Sequence, residues 1–151
     1  MTHELKTGGD RGYLRIATEE AFATQEQFDA IMRLVKEGRA DQGTMSLWGF
    51  YGTSASERTT FIRERLLDVG ALRLQAMDAA GIDKAVLALT SPGTQSLFDV
   101  EEAKRIARNA NDFLKGRCEA HPDRFYGMAA IAPLDPAWSA IMLSGRPCGW
   151  M

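Results

Sequence analysis

Two adjacent carboxylates, Glu19 and Glu20, follow directly on a run of β-forming residues, Tyr13-Leu14-Arg15-Ile16-Ala17-Thr18. Enzymes built on parallel strands place functional groups at strand C-termini, so acids there suit divalent-metal ligation or acid–base work. Read from spacing alone, such a pair more often serves as solvated caps of a strand end. Strand alternation puts Glu19 and Ala21 on one side and Glu20 on the other, so one acid only can face a site. Arg58 stands at the start of a helical stretch, where the helix dipole disfavours a cation, so its placement has another reason or it is a plain solvated helix residue. Trp48, Phe50 and Tyr51 offer flat apolar faces that would line a pocket for an aromatic ring or act as packing anchors. Thr90 and Ser91 follow a second apolar run and would hydrogen-bond a ligand or cap a turn. His121 precedes Pro122 and reads as a helix cap, and His3 lies in a polar leader. Cys118 falls on an inner helical face, whereas Cys148 has no evident partner. Cysteines thirty residues apart form neither a disulfide framework nor a metal motif.

The elements that must carry these groups emerge from periodicity. Tyr13–Thr18 is the first strand. From Thr24 to Gly38 the residues Phe28, Ile31, Met32 and Val35 recur at helical spacing, with Thr24 as N-cap and Gly38 as stop. Residues 40–55 hold three glycines and the aromatic cluster and read as an ordered loop. Ser54-Ala55-Ser56-Glu57 matches a capping box for one long helix, its face traced by Ile62, Leu66, Val69, Leu72, Ala76 and Ala80, ending at Gly81. Ala85–Leu89 is continuously apolar, as a strand buried on both faces is, and ends at Thr90. After the turn Ser91–Gln95, Asp99 caps a helix with Ala103, Ile106, Ala107, Ala110 and Leu114 inside, and His121-Pro122 stops it. Phe125–Ala132 is a third strand closed by Pro133.

Strand, helix, strand, helix, strand indicates βαβ units on a parallel sheet, a pattern that open α/β sheets and a closed barrel both fit. The chain has neither G-x-G-x-x-G nor G-x-x-x-x-G-K-[ST], and acid rather than glycine comes after the first strand, which favours a barrel mouth. With 151 residues, 18 basic and 20 acidic side chains and a net charge of -2, the composition is that of an ordinary globular domain without an electrostatic footprint for nucleic acid or anionic membrane. No apolar stretch approaches the roughly 20 residues of a membrane helix, and the leader lacks a signal-peptide core, so a cytoplasmic chain with reduced thiols is expected.

Taken together, Ile16-Ala17-Thr18-Glu19-Glu20-Ala21-Phe22, Ser46-Leu47-Trp48-Gly49-Phe50, Ser56-Glu57-Arg58, Ala88-Leu89-Thr90-Ser91-Pro92-Gly93 and His121-Pro122-Asp123-Arg124-Phe125 resemble the 5-carboxyvanillate decarboxylases. These belong to the amidohydrolase superfamily, in the branch with the γ-resorcylate and aminocarboxymuconate semialdehyde decarboxylases. The resemblance runs over about residues 5–138. It implies a metal-dependent (β/α)8 TIM-type barrel of the α/β class, of which this chain is a truncated N-terminal part with about three βα units. It also implies non-oxidative removal of a carboxylate from a small lignin-derived aromatic, giving vanillate and carbon dioxide, in a homo-oligomer. By the same resemblance Glu19 is a metal ligand, for Mn²⁺ first and Zn²⁺ or Mg²⁺ otherwise. Arg58 holds the leaving carboxylate, and Trp48, Thr90 and Ser91 belong to the substrate site.

A barrel of this type takes about 250 residues. The family's second metal-binding histidine, its catalytic histidine and its last-strand aspartate are expected beyond residue 151, so no catalytic residue is assigned within the chain and the chain alone is expected to be inactive. Residues 1–12 read as a loose leader, 13–138 as barrel and 139–151 as an anomalous tail that shows no helical face and suggests out-of-frame coding. A hydrolytic amidohydrolase acting on a lactone or amide is the alternative enzyme, disfavoured because Ala21 replaces a ligand on the first strand. A non-catalytic fragment or assembly partner is the alternative outside enzymes, since three βα units leave sheet edges open.

Overall fold

The computed structural model describes residues 12–144. Three strands, β1 (Ile16–Phe22), β2 (Lys84–Leu89) and β3 (Phe125–Gly127), form one parallel sheet in the order β1-β2-β3. Six helices accompany them: α1 (Gln25–Lys36), α2 (Gln42–Tyr51), α3 (Glu57–Leu67), α4 (Ala71–Ala80), α5 (Val100–Ala120) and α6 (Pro136–Ser144). The α/β class and the parallel sheet expected from the sequence are both present. Among the described residues no helix is long and apolar enough to cross a membrane.

β1 starts later and runs further than the sequence suggested: it includes both glutamates, and Tyr13 to Arg15 precede it. Its pairing with β2 is interrupted. Ala17 pairs with Ala85 and Glu20 with Leu87, so Thr18 and Glu19 together face Val86 across a β-bulge. The bulge reconciles two core residues at an odd spacing, because Ala17 and Phe22 both pack into the helix-side core with Leu87, Val69, Met77, Leu114 and Phe125, which strict alternation forbids.

α1 begins at Thr24, whose hydroxyl accepts from the Gln27 amide at 3.2 Å, and its exit is Gly38 at φ +66°. Its buried residues are Gln27, Ala30, Ile31 and Leu34, a face turned from the predicted one. Phe28 instead meets the edge of Trp48, ring centroids 5.6 Å apart. Residues 42–51 are helix rather than loop. Asp41 starts α2 by accepting from the Thr44 amide at 3.0 Å, and the glycines within it are a cost that tertiary packing overrides.

The long helix predicted from the Ser54-Ala55-Ser56-Glu57 capping box to Gly81 is two. Ser56 caps α3, but at Asp68-Val69-Gly70 the chain breaks, and the Asp68 carboxylate accepts from the amides of Gly70, Leu72 and Arg73 at 2.9–3.2 Å. That carboxylate satisfies the free N–H groups of a new helix start. The break turns Val69 inward, where it is 3% exposed, and leaves Leu72, Ala76 and Ala80 on the surface. α5 matches its prediction closely. Asp99 accepts from the Glu102 amide at 2.7 Å, Ala103, Ile106, Ala107, Ala110 and Leu114 are fully buried, and His121 ends the helix.

β3 stops at Gly127 rather than Ala132. The Ala130 peptide there bonds to Asn111 of α5 instead of a neighbouring strand, its N–H to Oδ1 at 2.7 Å and its carbonyl to Nδ2 at 2.8 Å. The segment 139–144, read as anomalous, belongs to α6. Ser139 is buried and bonds the Ala132 backbone through its hydroxyl, and Asp135 of the preceding turn pairs with Lys104 at 2.7 Å. The leader to residue 11, with His3, and the tail from 145, with Cys148, lie outside the described residues.

Candidate active site

In a parallel sheet, paired residues share a face. Glu20 pairs with Leu87 and so lies on the helix side, while Ala21 pairs with Ala88 on the opposite, open side. Glu20 is held there by Arg73 of α4, Nη1 to Oε2 3.2 Å. Glu19, in the bulge opposite Val86, is exposed and has no hydrogen bond or ion pair among the described residues. Of the two adjacent acids, one is thus committed to an ion pair and the other is unengaged.

Arg73 is the neighbour of these acids that the sequence did not single out. Only 10% of its side chain is exposed. Besides Glu20 it donates to the carbonyls of Ala21 at 2.7 Å, Arg65 at 3.1 Å and Asp68 at 3.3 Å. Burial lowers its pKa, and the negative charges of Glu20 and Asp68 oppose that shift. Its signal in the sequence was Asp68-Val69-Gly70, a helix restart that places a guanidinium one turn inside α4.

The C-terminal ends of β1 and β2 are tied together. The Thr90 amide donates to the Phe22 carbonyl at 2.7 Å, and the Thr90 carbonyl accepts from Nε2 of the buried Gln27 at 3.0 Å. Ser91, joined to Pro92 by a cis peptide, accepts through its carbonyl from the Trp48 indole N–H at 3.0 Å. Trp48 is 3% exposed, so it anchors α2 onto the β2 loop and presents little ring surface. A cleft of about 460 Å³ lies between Asp41, Thr44, Trp48, Ser91 and Gln95. Another of about 350 Å³ opens between Leu89, Pro92, Met128 and Ile131, at the ends of β2 and β3. The Ser91-Pro92 turn is the wall they share. A third, mostly apolar cleft, of about 450 Å³, lies away from these loops between α3, α4 and β1.

Arg58, in the first turn of α3, is exposed and unpaired among the described residues. Eight residues, roughly 12 Å of helix, separate it from Leu66, whose carbonyl receives the Ala23 amide at the end of β1. Arg63 secures the start of α3 by donating to the carbonyls of Tyr51 and Ser54 at 2.8 and 2.7 Å. The structure therefore joins Trp48, Thr90 and Ser91 at one strand end, with Glu19 on the adjoining strand, and holds Arg58 on a separate helix without contact to them. His121 packs edge-on against Phe125 at the far end of α5, as expected of a cap. Cys118 is half-buried against the core, which raises its thiol pKa.

The donor chemistry fits a hard divalent cation in kind, since Glu19 offers an unengaged carboxylate. In number it does not close a site: among the described residues no group of three or more His, Cys, Asp or Glu could hold a metal.

No family model matches the chain. Solved structures and curated relatives do. It is 57% identical to a 5-carboxyvanillate decarboxylase from Novosphingobium aromaticivorans, solved with manganese and 4-hydroxy-3-methoxy-5-nitrobenzoic acid; the match has a TM-score of 0.94 and covers 99% of this chain and 43% of that one. The 5-carboxyvanillate decarboxylase of Sphingomonas paucimobilis is 36% identical with a TM-score of 0.76, over 87% of this chain and 38% of that one. A gamma-resorcylate decarboxylase of Polaromonas is 33% identical over 126 residues, 83% of this chain and 33% of that protein. The chain thus spans less than half the length of these relatives. By sequence and by fold, the chain is similar to the 5-carboxyvanillate and gamma-resorcylate decarboxylases over the part of them that it covers.

Proposed function

We propose that this chain carries the first-strand metal carboxylate and the carboxylate-binding arginine of a non-oxidative aromatic decarboxylase of the 5-carboxyvanillate type. The observation that carries the proposal is the division of labour in β1, where Arg73 engages Glu20 and Glu19 is left exposed and unengaged. The three parallel βα units would be part of a (β/α)8 barrel, with residues 13–138 and the rest of α6 in its body, in a cytoplasmic homo-oligomer.

A divalent cation, Mn²⁺ foremost, would orient the substrate oxygens and neutralise their charge when bound. Glu19 would hold it, with the remaining donors supplied from outside the described residues. Arg58 would take the departing carboxylate in a fork of two charge-assisted hydrogen bonds, a geometry a lysine cannot reproduce. Ser91 and Thr90, at the wall between the two clefts, would border the aromatic ring, and Trp48 would fix that wall through the Ser91 carbonyl. An acid outside the described residues would first protonate the ring carbon that bears the carboxylate. The bond from that carbon to the carboxylate would then break with its electron pair returned to the ring, so one carbon dioxide leaves and no oxidant or water is consumed.

A hybrid enzyme tests this proposal: residues 13–138 replace the matching segment of the Novosphingobium protein, and vanillate formation from 5-carboxyvanillate is followed with Mn²⁺. The hybrid should turn over, and Glu19→Gln should abolish turnover. A folded hybrid that hydrolyses lactones but releases no vanillate would overturn the proposal in favour of a hydrolase. The 151-residue chain alone should be inactive in the same assay.

A further inference from the structure

We infer that Arg73 is a positioning residue that decides which of the two adjacent glutamates faces the open side of the sheet; the inference rests on the reading of Glu19 as the metal carboxylate. Ala17 is packed in the helix-side core. Continued without interruption, a strand leaving Ala17 would alternate, so Glu19 and Ala21 would join Ala17 on the helix side and Glu20 would turn to the open face. The bulge between Ala17 and Glu20 inserts one residue and reverses that outcome.

Arg73 holds the reversed register downstream of the bulge from the helix side. Arg73 binds the Glu20 carboxylate through Nη1 and the Ala21 carbonyl through Nη2, gripping the two residues just after Glu19. Its own position is fixed by the Arg65 and Asp68 carbonyls, so the grip is referred to the α3–α4 break rather than to β1 itself. The slipped arrangement would require Glu19 to meet Arg73 and Glu20 to face outward. Because both residues are glutamates, no difference of side-chain chemistry disfavours the slip. The contacts of Arg73, together with Phe22 in the core, select the register. A lysine could keep the ion pair with Glu20 but could not also reach the three carbonyls.

The test is a Mn²⁺ titration of the hybrid enzyme with its residues 13–138 isotopically labelled, in which paramagnetic broadening of each glutamate side-chain signal reports its closeness to the cation. In the unsubstituted hybrid Glu19 should broaden at least threefold earlier in Mn²⁺ than Glu20 or the exposed Glu119. In Arg73→Met the preference should be shared, Glu20 broadening within twofold of Glu19, and adding Glu19→Gln should leave Glu20 broadening. Retention of a Glu19-only pattern in a folded Arg73→Met hybrid would overturn the inference and make Arg73 merely structural. Should Arg73→Met not fold, Arg73→Lys decides: a threefold or greater rise in the Mn²⁺ needed to broaden Glu19 supports the inference, and an unchanged value refutes it. Failure of the metal reading looks different, with neither glutamate preferred in the unsubstituted hybrid.

Discussion

Trp48→Phe separates an anchoring indole from a ligand-stacking one. The residue is 3% exposed, its indole N–H donates to the Ser91 carbonyl at 3.0 Å, and its ring meets the edge of Phe28. Phenylalanine keeps an aromatic against Phe28 but cannot donate. Losing the hydrogen bond costs about 1 kcal/mol net. The smaller ring leaves part of the indole volume empty, a further cost of about 1–2 kcal/mol when whole aromatic deletions cost about 3–5 kcal/mol. The sum, about 2–3 kcal/mol, corresponds to a fall in Tm of about 4–12 °C for a domain of this size. Thermal unfolding by circular dichroism measures it, and amide exchange over residues 91–96 should accelerate because the turn loses its tie to α2. A loss below about 0.5 kcal/mol with unchanged exchange would refute the anchoring role.

Asn111→Leu removes both side-chain partners of the half-buried Ala130 backbone and should cost about 2–4 kcal/mol, seen as a lower denaturation midpoint. Asp68→Ala strips the cap from α4 and should cost about 1–2 kcal/mol, with helix fraying at residues 71–73 in amide exchange. The Thr44 hydroxyl and amide hold the Asp41 carboxyl below its usual pKa, and Lys104 does the same for Asp135. Their stabilisation is therefore present above the usual carboxylate range, near pH 4, and is lost as pH falls through their depressed values, so an acid titration monitored by NMR should release the starts of α2 and α6 below that range. In the hybrid enzyme, Arg58→Lys should lower kcat/KM by about 10- to 100-fold, the worth of one charge-assisted hydrogen bond in the transition state.

Where a helix has one cap, one apolar stripe and one stop, as α5 does from Asp99 to His121, local chemistry and tertiary packing agree and the sequence is sufficient. It misled where two local signals overlapped. Asp68-Val69-Gly70 keeps the helical period of apolar residues, so the break is visible only in the aspartate that caps the second helix. α2 was hidden by its glycines, although Asp41 with Thr44 three residues on was a legible start. β3 was overrun because Met128 to Ala132 is apolar, yet beyond the Met128 amide, which still donates to Leu87 of β2, that backbone is bonded by Asn111, Thr94 and Ser139. In the site, the adjacent acids were evident and their division between two faces came from alternation. The bulge that decides which acid goes where was legible only as the odd spacing of Ala17 and Phe22, and Arg73 had no signal of its own until the helix break was known.

The central claim, that Glu19 binds the cation and Arg58 the departing carboxylate, is tested most directly by a crystal structure of the hybrid enzyme with Mn²⁺ and 4-hydroxy-3-methoxy-5-nitrobenzoic acid. Anomalous scattering should place the ion within about 2.5 Å of a Glu19 carboxylate oxygen, with Glu20 still on Arg73 and the Arg58 guanidinium within about 3 Å of an acidic or nitro oxygen of the ligand. An ion bound without Glu19, or Arg58 left in solvent beside an occupied site, would contradict it.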